Sequence, residues 1–466
     1  MSELTIGQKL NEELTFTKKS VYEQCSKEKL EKIMQYAEDY KKFIDEAKTE
    51  REAVKASVAM AEKAGYTEYH LGDTLKKGDK KYFNNRDKSL YLFKIGTDSI
   101  EEEGIRIIAA HIDSPRLDLK QVPLYEDAGM SFFKTHYYGG IKKYQWTAIP
   151  LALHGVVICK DGKRVEVCIG EKESDPVFYI NDLLPHLGAD QGAKPLSKAI
   201  EGETLNILIG GLPYPDDKVD SKIKLNVLNI LNECYGIKEE DFISAELSAV
   251  PAFKARDIGL DRALIGAYGH DDRVCAYPAI TSLFDTESDN RTVIAVLADK
   301  EEIGSEGNTG MQSFVLLDLI SEISRSLGAN PVLVRSKSKC LSADVNAAFD
   351  PNFAEVYERR NSAMISCGTT MSKYTGARGK SGTNDASAEY VGYIRKLFAD
   401  NDVIWQTAEL GKVDIGGGGT VAMYISKLNI DTVDLGVPVI SMHAPYEVIS
   451  KADLYTTYEA FLAFCK

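Results

Sequence analysis

Seven histidines occur in the 466 residues, few enough to weigh one at a time. His111 closes the apolar run IRIIAAH, and Asp113 follows two positions later. A histidine at a strand exit can offer one ring nitrogen to a metal, and a carboxylate that accepts the other N–H fixes the tautomer needed. The placement recurs: Asp299, Lys300, Glu301 and Glu302 follow VIAVLA, and VPVISMH ends on His443. Adjacent carboxylates point to opposite sides of a regular strand. Glu301 and Glu302 therefore serve one site only if the chain has left the strand, which Gly304 and Gly307 permit. One carboxylate of such a pair can bind a cation while the other moves a proton. Asp271 and Asp272 in GHDDR precede an apolar helical stretch, and Asp344, in SADVNAAFDPN, follows the apolar run NPVLV and a short basic loop.

Taken singly, each segment has an ordinary reading: a capped core histidine, a charged turn, a helix N-cap for one of the two aspartates, a loop aspartate. Together, two histidines and three or four carboxylates at strand ends or helix starts come from five separated segments, the pattern of metal ligands assembled by a fold. Two divalent cations would balance three ligand carboxylates and one base. Donors of nitrogen and oxygen without thiolate suit zinc, and also cobalt or manganese.

The run Asp414-Ile415-Gly416-Gly417-Gly418-Gly419-Thr420 lacks the spacing of a phosphate loop. It reads either as a flexible connection or as glycines that let a ligand approach the backbone ahead of TVAMYISKL. His186 lies in NDLLPHLGAD and His270 directly precedes Asp271. His70, His136 and His154 have no acidic neighbour at ligand spacing along the chain and read as structural or surface residues.

These groups need elements to hold them. Leu30, Ile33, Met34, Tyr40, Phe43 and Ile44 recur at helical spacing, and Thr49 with Glu52 forms a capping box for a second helix that Gly65 closes. The runs at 105–110, 293–298 and 437–441 lack strict alternation, as suits strands covered on both faces. The expected class is α/β, with helices flanking a mixed sheet. Between residues 120 and 250 the texture differs: GVVICKDGKRVEVCIG carries a hairpin signal at Asp161-Gly162, and Ile223, Val227, Ile230 and Leu231 follow at helical period. That region reads as an inserted, mainly β domain. The expected division is 1–118 and 252–466 for the catalytic domain and 119–251 for the insertion.

Composition removes other classes. The chain is 44% hydrophobic and 27% charged, long enough for a large core without disulfide staples. Its eight cysteines form no CxxC pair and read as buried hydrophobes in a reducing compartment. A net charge of -14 argues against a nucleic-acid partner, since phosphate binding needs a basic face. The first residues lack the apolar core of a signal peptide and no run reaches the length of a membrane span. The expectation is a cytoplasmic protein without a membrane partner.

The ordered blocks AHIDSPRLD, GHDDR, DKEEIGSEG, SADVNAAFDPN, DIGGGGT and SMHAPYE resemble the aminopeptidase I and aspartyl aminopeptidase family of dizinc exopeptidases, over about residue 20 to the C-terminus. The resemblance implies a fold of the dizinc exopeptidase type and a dodecamer built from dimers, the insertion serving as dimerisation domain. It implies metalloaminopeptidase activity at two metal ions, on peptides with a free N-terminus. Carried over position by position, it makes His111, Asp271, Glu302, Asp344 and His443 the metal ligands, with Asp271 bridging. Asp113 becomes the orienting partner of His111, and Glu301 the general base towards a water between the ions. It also implies a cis peptide between Asp271 and Asp272. Some members send a histidine shortly after a PHL motif into a neighbour's active site; here Asp190 stands four residues after His186, which alone is left for that role. Lys373, Gly417 and Gly418 are candidates for the substrate pocket. The blocks look closer to the aminopeptidase I branch, which implies a neutral or broad first-residue preference over an acidic one. Rival readings are a dizinc deacylase or carboxypeptidase using the same ligands, and a silent assembly protein.

Overall fold

The computed structural model describes residues 4–376 and 378–466. A nine-stranded mixed sheet forms its centre. Four neighbouring parallel strands, Val293–Ala298, Arg106–His111, Lys339–Ser342 and Asp431–Gly436, make up the middle of that sheet. Their side chains alternate between two cores. Ile108, Ala110, Ala295, Leu297, Leu341 and Val433 meet the helices Lys27–Glu46, Glu50–Lys63, His270–Asp285, Ala388–Asp400 and Lys451–Cys465. Ile107, Ala109, Ile294, Val296 and Cys340 meet Val315–Ser326 and Pro331–Lys337. Apolar runs without a polar face are the sequence mark of strands buried on both sides. The helix Glu50–Lys63 opens with the expected capping box, Thr49 and Glu52 bonding each other's backbone N–H.

Functional groups in such a sheet gather beyond the carboxyl ends of the strands. His111 is the last residue of its strand, the segment 299–302 leaves Val293–Ala298, and Asp344 stands two residues past Ser342.

The structure assigns one apolar run and revises one expectation. The run NPVLV is a helix: Asn330 caps it by accepting from Val332 N, and Pro331 takes the first helical position, where its missing N–H costs nothing. The strand ahead of Asp344 is the short Lys339–Ser342. The run VPVIS contributes Pro438–Ile440 to a separate five-stranded sheet, pairing in parallel with Asn346–Ala347. The central position belongs instead to DTVDLG, whose buried Thr432 and Asp434 disguise it in a search for apolar runs.

Residues 116–251 form a seven-stranded antiparallel sheet with the helix Lys222–Tyr235. The Asp161-Gly162 turn joins Leu151–Ile158 to Arg164–Ile169 as a hairpin, with Gly162 in the left-handed region that a side chain would resist. Trp146, Leu117, Phe133 and Leu247 lie in its core. No described helix is long and apolar enough to cross a membrane.

One close approach ties this framework to the candidate ligands. A Cβ on Gly436, at the end of the fourth parallel strand, would stand 1.8 Å from the carbonyl oxygen of Asp344. Gly436→Ala is expected to displace the Asp344 segment, lowering stability by about 1–3 kcal/mol in urea unfolding and reducing metal uptake. Wild-type values for both would contradict the packing described.

Candidate metal centre

Asp271 stands at the middle of the cluster. Its Oδ1 is 3.1 Å from His111 Nε2 and its Oδ2 is 3.1 Å from His443 Nε2. Asp344 Oδ1 and Glu301 Oε2 each lie 4.0 Å from His111 Nε2, and Glu302 Oε2 lies 3.5 Å from His443 Nε2. The sequence candidates His111, Asp271, Glu301, Glu302, Asp344 and His443 thus converge. Ligand atoms of His111, Glu301 and Asp344, and likewise of His111, Asp271 and Glu302, lie within 4.8 Å of one another.

Each ring is aimed by its other nitrogen. His111 Nδ1 lies 3.0 Å from the carbonyl oxygen and 3.3 Å from Oδ1 of Asp113. His443 Nδ1 lies 2.8 Å from the carbonyl oxygen of Gly140. Both contacts leave Nε2 facing the cluster, the orientation a metal ligand needs. Asp113 does more than its expected part. Its carboxylate accepts from the backbone N–H of Glu301 at 3.1 Å, from that of Glu302 at 3.2 Å and from the Tyr138 hydroxyl at 2.8 Å. One buried side chain therefore fixes the first histidine and the loop that carries both glutamates. Lys300 precedes them in the left-handed region, turning the chain out of its strand into the short helix Glu301–Ile303. This is the break that the paired carboxylates require.

The five-stranded sheet gathers the rest. Leu264–Ala267 leads to Asp271 and pairs with Glu447–Ser450, with Ala267 opposite Glu447. Glu447 accepts from His443 N at 2.6 Å and from Asp271 N at 3.1 Å, joining two ligand segments. The peptide between Asp271 and Asp272 is cis, as the resemblance implied. Tyr138, Gly140 and Glu447 were not singled out in the sequence. Glu447 stands inside the block SMHAPYE, whereas nothing near Gly140 in the chain signals its carbonyl.

Burial and like charge dominate the electrostatics. Burial pushes the Glu302 and Asp344 carboxyls well above the carboxylate range, and neighbouring Asp271 and Glu301 add to the rise. Burial raises Glu301 to about 7 and lifts the Asp272 carboxyl well up. Burial disfavours charge on the imidazoles, yet adjacent carboxylates outweigh it: His111 is raised well above its usual value and His443 to about 10. Burial also works against ionised Asp271, but the two imidazoles hold it well below the usual range. Glu302 Oε1 is buried without a hydrogen-bond partner. A crowd of carboxylates with two outward-aimed imidazoles and an unused buried oxygen fits divalent cations.

The remaining candidates lie further out. Lys373 follows the strand Thr369–Ser372, and its Nζ is 3.7 Å from Asp385 Oδ1. Ser372 accepts from the Asn346 side chain at 2.8 Å, which places that strand end beside the Asp344 segment. Gly418 N donates to Thr375 O, and Gly417 is in the left-handed region. The glycine run leads into Ala422–Ser426, where the Tyr424 hydroxyl donates to Gly304 O beside the glutamate loop. His186 sits on an exposed turn, Pro185–Leu187, of the 116–251 segment, without a described contact to the cluster. His154, read as having no acidic neighbour, lies between Glu52 and Glu171.

Known proteins share this arrangement of chain. Residues 43–465 match the family described as aminopeptidase I zinc metalloprotease (M18). The chain is 49% identical to the "Probable M18 family aminopeptidase 1" of Clostridium acetobutylicum, over 96% of this chain and 97% of that protein. It superposes on the crystal structure of the M18 family aminopeptidase of Thermotoga maritima with a TM-score of 0.92 at 42% identity, covering 97% of this chain and all of that one. The mApe1 dodecamer of S. cerevisiae shares the fold, at a TM-score of 0.76 and 22% identity over 92% of this chain and 96% of that one.

The protonation pattern gives a testable consequence. Without metal, His111, His443, Glu302 and Asp344 are all held towards their protonated forms at pH 7. Metal must displace those protons, so binding tightens as pH rises. Zinc titrated into chelator-stripped protein is expected to release protons, seen as a calorimetric heat that scales with buffer ionisation enthalpy, and to bind more tightly at about pH 8 than at about pH 6. Binding without proton release would contradict the assignment.

Proposed function

The chain belongs to the M18 family of aminopeptidase I zinc metalloproteases, and on that premise we propose that it removes the N-terminal residue of peptides at a site holding two divalent ions. The observation that carries this reading is the division of labour at Asp271. One carboxylate oxygen faces His111, with Asp344 beside it; the other faces His443, with Glu302 beside it. A single bridging carboxylate thereby splits the cluster into two halves of similar make-up. Zinc suits these donors, and cobalt or manganese would also bind them. Bound there, a pair of divalent ions would polarise the scissile carbonyl and acidify water.

Glu301 is the base. Its carboxyl, at the edge of the cluster with Oε2 4.0 Å from His111 Nε2, can take a proton from the attacking water and return it to the leaving amine. Asp113 positions it through the backbone N–H of Glu301 rather than by touching substrate. The free α-amino group of a peptide would sit on one ion or on a nearby carboxylate, which restricts cleavage to the first residue. Neutral or broad first-residue preference is proposed over acidic, and Lys373, whose Nζ is 3.7 Å from Asp385 Oδ1, is the residue to test at that pocket. Gly418, with open space where a side chain would stand, and its neighbour Gly417 are proposed to admit substrate backbone.

The organisation proposed is a catalytic domain of residues 1–118 and 252–466 with a dimerisation domain of 119–251 inserted. Leu183, Leu184, Leu187 and Leu196 of the inserted segment are exposed, an apolar surface suited to a subunit contact. A homo-oligomer, the dodecamer of the yeast protein being one form, would cover it, with His186 beside it as the residue to examine for a contribution to a neighbouring site. A cytoplasmic location completes the reading.

Glu301→Gln keeps shape and removes the base, so turnover should fall by about 10²–10⁴-fold with zinc content unchanged; near-normal turnover would refute the role. Leucyl anilides should be cleaved faster than aspartyl anilides, and N-acetylated leucyl anilide hardly at all. Preference for the acetylated substrate would instead indicate a deacylase.

A further inference from the structure

A second cluster of candidate metal-binding groups lines a cavity of about 740 Å³ between the helix Glu50–Lys63 and the strands Leu151–Ile158 and Arg164–Ile169, a cavity that none of the Asp271 cluster lines. His154 and Cys168 are direct cross-strand partners in that hairpin, and Glu52 reaches them from the helix. The three side chains offer a nitrogen, a sulfur and an oxygen within 4.8 Å of one another. Glu52 Oε2 is already used: it accepts from Thr49 N at 3.1 Å and from Thr49 Oγ1 at 3.0 Å, closing the helix cap. Oε1 remains, 2.7 Å from His154 Nδ1. The other ring nitrogen, Nε2, stands 3.1 Å from Glu171 Oε1. Glu171 is in turn held by Lys48 Nζ at 2.6 Å and by Lys254.

We propose that Glu52, His154 and Cys168 form a separate binding site for a soft divalent cation, zinc by its donor set, independent of the peptidase reading. Mixed sulfur, nitrogen and carboxylate ligation is zinc chemistry, and three protein ligands leave a fourth position open to the cavity. The ion replaces the proton between Nδ1 and Glu52 Oε1, while Nε2–H goes on donating to Glu171. A carboxylate that holds the far nitrogen of a metal-ligating histidine fixes ring orientation and raises ligand basicity.

The local charge supports the exchange. Burial opposes a charge on His154, but Cys168, Glu171 and Glu52 outweigh it and hold the ring protonated up to about 11. The pocket therefore already carries a cation at the ring. Loading the ion removes one proton from the imidazolium and one from the Cys168 thiol, so a divalent cation enters with no change in total charge and no change of oxidation state. Cys168 is free and exposed, accessible to an entering ion. The bound ion would add a further tie between the helix Glu50–Lys63 and the antiparallel sheet, which the ion pairs Glu50–Arg116, Arg51–Glu246 and Lys55–Glu166 already join.

Cobalt(II) is the probe, because a thiolate bound to cobalt gives an intense near-ultraviolet charge-transfer absorption that His and carboxylate ligands do not, and the Asp271 cluster offers no thiolate. Protein stripped with a chelator, dialysed and titrated with cobalt(II) should develop this band and lose it on adding zinc. Cys168→Ser should lack the band, take up one ion fewer per chain, and keep its peptidase activity. Absence of the band in the wild type, its persistence in Cys168→Ser, or equal metal content in the two proteins would each overturn the proposal.

Discussion

Ionised carboxylates are costly to bury, and they are costlier still beside one another. Asp113, Asp271 and the Glu302 side chain are nonetheless packed out of water around two imidazoles, with Asp344 and Glu301 partly exposed at the edge. Asp271 is the fulcrum, since each of its oxygens faces a different histidine. In the absence of metal the conflict is relieved by protons, which burial drives onto Glu302 and Asp344. Divalent charge in their place would resolve it and make a Lewis-acid site. The rest of the structure can be understood as the means of holding a mutually repulsive set in one geometry.

Two sheets share that work. Three parallel strands of the central sheet deliver His111, the glutamate loop and Asp344 at their carboxyl ends, and the five-stranded sheet brings Asp271 and His443 against them. Asp113 and Glu447 are the clamps. Asp113 ties the first histidine to the glutamates, and Glu447 ties Asp271 to the second histidine, both through backbone N–H groups. Lys300 and His443 both adopt left-handed backbone conformations without being glycine, a local strain often found where a fold turns functional groups towards a common point. The third, antiparallel sheet is not a bystander: Tyr138 and the carbonyl of Gly140, at the end of one of its strands, hold Asp113 and His443. Substitutions in that sheet can therefore reach the metal centre.

Much of this was legible in the residues, and the exceptions have physical causes. His111, Glu301, Glu302 and His443 were visible because apolar runs buried on both faces end abruptly on groups with ligand chemistry. The six ordered motif blocks then named their partners. The capping box at Thr49 and the Asp161-Gly162 hairpin were readable because their signals are local. DTVDLG escapes a search for central strands because buried Thr432 and Asp434 break its apolar pattern, and the apolar run NPVLV, with Asn330 and Pro331 at its head, is a helix start. Gly140 acts through its carbonyl, which every residue possesses, so no side-chain pattern announces it. His154 lacked acidic neighbours along the chain yet acquired two in space, one from a distant helix.

Asp271 is proposed to bridge two ions, one held with His111 and Asp344 and the other with His443 and Glu302. Anomalous diffraction from crystals of the zinc-loaded protein tests it most directly. Two peaks about 3.5–4 Å apart are expected, one on either side of the Asp271 carboxylate. A single peak at full zinc loading, or peaks not flanking Asp271, would contradict it.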